Sequence, residues 1–118
     1  MPRTIHHFID SLNMDVEYQV GKNAKDNIDI LANSLANDIW FHIDGEASCH
    51  VVAKVHAIEM KNKKQLAHII KYGAVLCKQF SKYKSIKDVS VVYTKVSNVC
   101  PTDRMGQVMT SNTKTVTI

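Results

Sequence analysis

Apolar and polar positions alternate most cleanly between Asp15 and Val20, where Val16, Tyr18 and Val20 interleave with Asp15, Glu17 and Gln19. A period of two puts the three apolar side chains on one face, so this stretch is expected to be a half-buried strand, ended by Gly21. Thr4 to Ile9 is a shorter apolar-polar mixture suited to an edge strand, with Ser11, Asn13 and Asp15 as turn residues. Beyond Gly21 the period lengthens. Ile28, Leu31 and Leu35 recur at helical spacing with Ala32 alongside, which predicts a helix from about Ala24 to Ala36 facing a sheet. Asn23 is placed to cap it, Asp26 favours the positive helix end, and Asn37 is a reasonable stop.

Asp38 to Val52 contains two apolar runs around a polar, Gly-containing break, the pattern of a hairpin. Folding symmetrically about Glu46 sets Trp40 opposite Val52, His42 opposite His50 and Ile43 opposite Cys49. Trp40, His42, His50 and Val52 then share one face, while Phe41, Ile43, Cys49 and Val51 share the other. Both faces are largely apolar, so the hairpin is expected inside a sheet, with its second strand running on to Ala57.

A polar linker, Met60 to Lys64, precedes the longest helical pattern, expected over about Lys63 to Tyr83. At roughly 100° per residue, Leu66, Ile69, Ile70, Gly73, Leu76, Cys77 and Phe80 cluster within about 120°, and Lys64, Lys71, Lys78 and Lys82 fall within about 40° on the opposite side. Gly73 inside the apolar seam implies close packing on the sheet. Val89, Val91, Val92 and Tyr93 read as a further strand. Lys95 to Arg104 reads as a loop, with Cys100-Pro101 blocking helix. Met105 to Thr110 and Thr113 to Ile118 are expected to form a last hairpin around Ser111-Asn112. The sum is an α+β fold, a mostly antiparallel sheet with two helices packed on it, as a single domain over residues 1–118.

At 118 residues such a domain buries roughly two-thirds of its unfolded surface without disulfide staples. Three widely spaced cysteines, Cys49, Cys77 and Cys100, include no Cys-x-x-Cys pair. They fit buried thiols in a reduced cytoplasmic or nuclear compartment. No apolar run is long enough to span a bilayer, and Met1 to Asp10 has no signal-peptide core, so no membrane partner is expected.

Charge is divided unevenly along the chain. Residues 1–53 carry three basic against eight acidic groups, a net of −5, whereas residues 54–118 carry twelve against three, a net of +9. A segregated positive half suits an anionic partner such as nucleic acid, although surface lysines opposite a core face are also the ordinary state of an exposed helix. Here no glutamate interleaves the lysine line to relieve its repulsion, and that raises phosphate binding above the ordinary reading. Tyr72 and Tyr83 stand beside the line and offer either stacking for an unpaired base or a core edge.

Sharper chemistry finds less support. His42 and His50 supply two metal ligands from facing strands but lack a third at a usual spacing, so no metal and no cofactor are expected. Cys49 and His50 are strand neighbours that face away from each other, which excludes a nucleophile-base pair. No Gly-rich phosphate loop and no Gly-x-Ser-x-Gly elbow occurs.

The residues that dominate this reading also carry a resemblance. Gly21, Asn23 and Asn27, then Asp38-Ile39-Trp40-Phe41-His42, then Ser48-Cys49-His50-Val51-Val52, resemble the Gly-x-Asn-x-x-x-Asn, Asp-Leu-Trp-Phe-His and Gly-Ser-His-Val-Val signatures of the NFACT-R domain. That domain is the carboxy-terminal module of ribosome-quality-control factors that help tail stalled nascent chains. The likeness continues at Val92-Tyr93-Thr94 and Met105-Gly106-Gln107-Val108 and spans about residues 15 to 118. It is nearest to small eukaryotic stand-alone members with a coiled-coil tail, a tail not expected in this sequence.

The resemblance implies a stand-alone, non-enzymatic RNA-binding module for tRNA, rRNA or another translation-linked RNA, with DNA as a further polyanion and the ribosome as an associated particle. The expected contacts are Lys64, Lys71, Lys78 and Lys82 on phosphates, Lys22, Asn23, Lys25 and Asn27 at the first helix start, and His42 and His50 holding or flanking the site. Two amides one turn apart at a helix start suit a phosphate or a base edge; capping alone accounts for Asn23, and a local hydrogen bond is the other reading of Asn27. Where relatives carry paired lysines this chain has Cys100 and Pro101, leaving Lys95 and Arg104 as the nearby cations. The alternatives are a protein-interaction module with an acidic partner and an RNA-modifying enzyme.

Overall fold

The computed structural model describes residues 2–46, 48–56, 58–104 and 107–118. The alternation at Val16, Tyr18 and Val20 becomes strand β2 (Met14–Val20), paired with the edge strand β1 (Arg3–Ile9) through a turn in which Asn13 takes φ 53°. Helix α1 (Ala24–Ala32) follows, then β3 (Ile39–Ile43) and β4 (Val51–Lys54). Helix α2 (Lys63–Gln79) leads to β5 (Ser90–Lys95), a 3-10 turn at Val96–Asn98, β6 (Val99–Pro101), β7 (Val108–Thr110) and β8 (Lys114–Thr117). One six-stranded antiparallel sheet runs β1-β2-β4-β3-β5-β8, and β6 and β7 form a separate two-stranded ribbon.

The expected hairpin lies at the centre of the sheet, with Ile39 opposite Ala53, Trp40 opposite Val52 and Phe41 opposite Val51 as expected. It lacks the expected His42–His50 and Ile43–Cys49 pairs in its ladder, because β4 begins at Val51 and the His50 backbone bonds to Gly21 and Asn27 instead. Its two faces carry two cores. Val16, Tyr18, Phe41, Val51 and Val91 pack under Ile69, Leu76 and Cys77 of α2, whereas Trp40 and Val52 pack with Ile30 of α1 and Val99 of the ribbon. Among the described residues the two helices therefore cover opposite faces.

Gly73 is where α2 meets the sheet most closely. A Cβ there would overlap the Phe41 ring, whose three outer atoms all lie too near to clear it. Gly73→Ala would raise helix propensity but push α2 off a ring with no exposure. The expected result is a net loss of about 1–3 kcal/mol in urea unfolding; a stabilised variant would show that the helix shifts without cost.

Several expectations are corrected. Helix α1 stops at Ala32 rather than Ala36, because side chains take its last carbonyls: Asn33 Nδ2 donates to Asp29 O (2.8 Å), Ser34 Oγ to Ile30 O (2.6 Å) and Lys54 Nζ to Asn33 O (2.6 Å). Leu35, expected against the sheet, is in consequence 54% exposed. Helix α2 stops at Gln79 rather than Tyr83, because Ser81 Oγ donates to Lys78 O (2.7 Å) and accepts from Tyr83 N (3.1 Å), closing a turn. The segment read as loop contains the 3-10 turn and β6, in which Pro101 sits at the end of a strand that needs few amide donors.

The last hairpin does not form. Val108–Thr110 pairs with β6 and Lys114–Thr117 with β5, while Met105 and Gly106 lie outside the described residues. Thr94 Oγ1 donates toward Ser111 O (3.1 Å) and Asn112 O (3.3 Å), and Asn112 takes φ 50°, so this turn carries the chain from the ribbon to the sheet instead of folding it back. Strand β4 ends at Lys54, because the next two amides leave the ladder for Asp38; the expected end at Ala57 lies outside the described residues.

Asp38 has no exposure. Its Oδ1 accepts from Val55 N (2.8 Å), His56 N (3.0 Å) and His56 Nδ1 (2.9 Å), and its Oδ2 from Leu35 N (2.9 Å), with Lys54 Nζ at 3.9 Å. Burial opposes its charge, but these donors outweigh burial and hold the carboxyl below the usual range. The acidic residue of the Asp-Ile-Trp-Phe-His stretch thus ties the turn after α1 to the end of β4.

Candidate nucleic-acid interface

The turn into α1 brings together Gly21, Lys22, Asn23 and Asn27. Asn23 caps the helix, its side chain accepting from Asp26 N (2.8 Å). Asn27 is buried, and its Oδ1 accepts from His50 N (3.1 Å) beside the Gly21 N–H···O=C His50 bond (2.9 Å). A Cβ on Gly21 would overlap that Oδ1, which is why a residue without one stands there. Asn27 therefore links α1 to the central hairpin. A cleft of about 560 Å³ opens beside it, with Arg3, Lys22, Asn23, Ser48, Cys49 and Phe80 in its wall. Arg3 lies 4.5 Å over the Phe80 ring, so two cations converge on this end of the sheet. Lys25 is exposed on α1 and takes no part in the cleft.

Trp40, His42 and His50 form a triangle of rings on the α1 face. Trp40 stacks on His42 with centroids 5.5 Å apart, and His50 sets its ring nearly perpendicular to Trp40 (5.3 Å) and to His42 (5.1 Å). Trp40 Nε1 and His50 Nδ1 are buried without a hydrogen-bond partner among the described residues. Burial lowers the pKa of His42, partly offset by backbone groups of Ile43 and Ser48 and by Asp44. Burial, with a further contribution from His42, pushes His50 down to about 3. Among the described residues no three His, Cys, Asp or Glu side chains form a metal-holding group.

The His50 shift has a pH signature. Above about pH 6.5 the imidazole is neutral in both folded and unfolded chains; below it the unfolded chain binds a proton that the folded one refuses. Stability is therefore complete above the unfolded pKa and declines as pH falls toward the folded value of about 3. At pH 5 the expected loss from His50 is about 2 kcal/mol relative to pH 7.5. Urea midpoints measured from pH 5 to 7.5 should show this slope, and His50→Gln should flatten it; an equally steep slope in the variant would assign the effect elsewhere.

Cys49 and Cys77 face each other across the sheet and α2, each thiol donating toward the other's carbonyl (3.9 Å from Cys49, 3.7 Å from Cys77). The Cys77 thiol hydrogen bond holds the Cys49 pKa below its usual value, against burial, whereas that bond and burial push Cys77 up.

The lysines of α2 do not form one uniform line. Lys64 and Lys71 are exposed, while Lys78 is half-buried and its Nζ donates to the Ile118 carbonyl (2.9 Å). Lys82 lies past the helix end with its Nζ 5.5 Å from the Tyr83 ring centroid. Tyr72 stacks flat on His7 (3.5 Å between centroids), so its ring face is already covered on one side. Lys95 stands at the end of β5 on the rim of a second cavity, and Arg104 is exposed in the turn after β6. The expected residues thus separate into those at the α1 start, those along α2, Lys95 at the end of β5 and Arg104 between β6 and β7, with His42 and His50 on the face opposite α2. Arg3 and Lys114 went unnoticed in the sequence. Lys114 sits opposite Tyr93 in the β5–β8 register, a pairing that no local pattern announces.

A six-stranded sheet carries a helix on each face, with exposed cations at both ends of it. The chain belongs to the NFACT protein RNA binding domain family, whose model matches residues 4–116, and the family is an RNA-binding one. It is 35% identical over 98 residues to coiled-coil domain-containing protein 25 of Bos taurus and 32% identical to that of Mus musculus, in each case over 75% of this chain and 44% of the relative. The chain therefore spans less than half the length of these relatives. The fold matches the C-terminal of the fibronectin/fibrinogen-binding protein from Streptococcus suis, with a TM-score of 0.79 at 20% identity, over 99% of this chain and 44% of that one.

Proposed function

We propose that this domain binds tRNA, rRNA or another translation-linked RNA through its exposed cations and performs no chemistry on it. One observation carries the reading. Among the described residues Lys54, 3.9 Å from Asp38, is the lysine or arginine within ion-pair distance of a side-chain carboxylate; Lys22 acts on Asp26 through its charge, Lys78 holds the Ile118 main-chain oxygen, and the other cations of the basic half have no such contact. The acidic amino-terminal half thus leaves the basic half largely unneutralised, and phosphates would relieve the repulsion among the cations along α2 and its flanks. In this reading Lys64, Lys71, Lys78 and Lys82 meet phosphates from α2, Lys22 and Lys25 meet them at the α1 start, and Lys95 and Arg104 extend the contact. Asn23, Asn27, His42 and His50 shape the turn and hairpin between them. Ribosome association and a cytoplasmic location follow as parts of the same proposal.

The test is competition. Labelled tRNA is bound on filters and challenged with unlabelled tRNA or with polyglutamate of equal charge. Displacement by tRNA at far lower concentration supports RNA as the partner, as does protein purified with excess absorbance near 260 nm. Equal displacement by both, with no such absorbance, would favour an acidic protein partner and sink the proposal.

A further inference from the structure

The cavity at the Lys95 end of the sheet lies at the opposite end of the central strands from the α1 cleft. Its volume is about 550 Å³, within the roughly 300–1,000 Å³ of sites that hold a small molecule or a residue-sized group. Strands β3 and β5 and the first half of α2 diverge there. Ile39, Leu66 and Ile70 make an apolar floor, and Tyr93, half-buried and tilted 34° to the Phe41 ring, supplies an aromatic wall.

The rim is of a different chemistry. Lys95 and Lys114 stand on it, both exposed and neither paired with a carboxylate, and Asn37, Asn98 and Asn112 stand between them. Each amide presents a donor and an acceptor together. Asn98 Nδ2 donates to Thr94 Oγ1 (3.0 Å), which orients the amide, and the side chains of Asn37 and Asn112 have no hydrogen-bond partner among the described residues. The rim is also held in place. Thr94 Oγ1 is tied to the Ser111 and Asn112 carbonyls, and the His56 ring on the other side is tied to Asp38.

We propose that this cavity takes one unpaired nucleotide of a bound RNA, its base against Tyr93 and the apolar floor, its edge read by the asparagines, and its flanking phosphates on Lys95 and Lys114. This rests on the RNA-binding reading and adds a specific contact to it. A flat aromatic base satisfies the floor, paired donors and acceptors satisfy the amides, and only an anion satisfies the two lysines; a nucleotide joins all three. An apolar peptide side chain would satisfy the floor but leave the amides and cations unanswered. Because a base must leave its stack to enter, the proposal predicts preference for single strands over duplex, which phosphate contacts alone do not give.

The experiment uses the intact chain with methyl groups labelled for NMR and two probes of RNA, a pentanucleotide of uridine or adenosine and a blunt ten-base-pair duplex. The pentanucleotide is expected to shift the methyl signals of Ile39, Leu66 and Ile70, and the duplex to bind without shifting them. Tyr93→Leu, which keeps apolar bulk but removes the stacking face, should weaken pentanucleotide binding about tenfold and leave duplex affinity unchanged. Lys95→Gln with Lys114→Gln should reduce the salt slope of pentanucleotide binding by about 1.4, since each phosphate contact on a single strand contributes about 0.7. Should Tyr93→Leu fail to fold, the methyl shifts of the unaltered chain still decide.

Three outcomes overturn the proposal in different ways. If neither RNA binds at all, the RNA-binding reading falls with it. If both RNAs bind and the three methyl signals stay still, RNA binding stands and the nucleotide pocket alone is wrong. If a short peptide of alternating leucine and aspartate shifts those signals and the pentanucleotide does not, the cavity belongs to a protein partner.

Discussion

Binding of RNA is expected to weaken by about 10³-fold between 50 and 200 mM salt, provided that about six phosphates are neutralised. The size follows from counterion release, since each phosphate contact adds about 0.9 to the slope of log affinity against log salt for a duplex. The exposed cations supply that number without drawing on Lys54, whose ammonium lies 3.9 Å from Asp38. Replacing Lys64 and Lys71 by glutamine should lower the slope by about 2 and weaken all sequences alike. Lys78→Gln should have a smaller effect, because its Nζ already holds the Ile118 carbonyl at 2.9 Å. Filter binding at five salt concentrations measures all three. A flat dependence would remove the polyanion reading, leaving a fold of the family without the contact proposed for it.

The second large effect is on stability. Asp38→Ala strands four donors, the amides of Leu35, Val55 and His56 and the His56 ring, in a site with no exposure. Removing one partner of a buried, hydrogen-bonded charge costs about 3–5 kcal/mol, a large share of the roughly 5–15 kcal/mol that holds a domain together. Asp38→Asn keeps the shape but turns an amide N–H₂ toward donors, so most of the loss should persist. Because the folded carboxyl is held below its usual pKa, its contribution is complete above the unfolded value and disappears as pH falls through the folded one. Urea unfolding at pH 7 gives the number. A loss under about 1 kcal/mol would mean that water replaces the carboxylate and that the turn after α1 does not depend on it.

Much of this architecture was written in local periodicity. Val16, Tyr18 and Val20 alternate because their strand is wet on one side, and the hairpin register followed from the symmetry of two apolar runs about Glu46. Gly73 announced a close approach because nothing else justifies glycine within an apolar helical seam. What periodicity missed was decided by single side-chain hydrogen bonds. Ser34, Asn33 and Ser81 end the helices early by taking carbonyls, and a helical pattern cannot show which serine will do so. Ser111-Asn112 has hairpin composition, yet Thr94, seventeen residues before Ser111, redirects it.

The candidate site was legible only in parts. Charge along α2 was visible, but the α1 cleft needed Arg3 and Phe80 from distant segments. Likewise the Lys95 cavity needed Lys114 from the last strand and Leu66 from α2. Asn27 illustrates the limit: its spacing suited a ligand, and its Oδ1 is committed to the backbone of His50.

The single tryptophan is 2% exposed and sits against two imidazoles on the side of the sheet away from α2. Its emission should therefore be blue-shifted in the native domain, quenched as acid charges the neighbouring rings, and indifferent to polyanions that settle on the helix across the sheet. The molecule carries its own optical reporter, one that separates loss of structure from occupancy by a ligand.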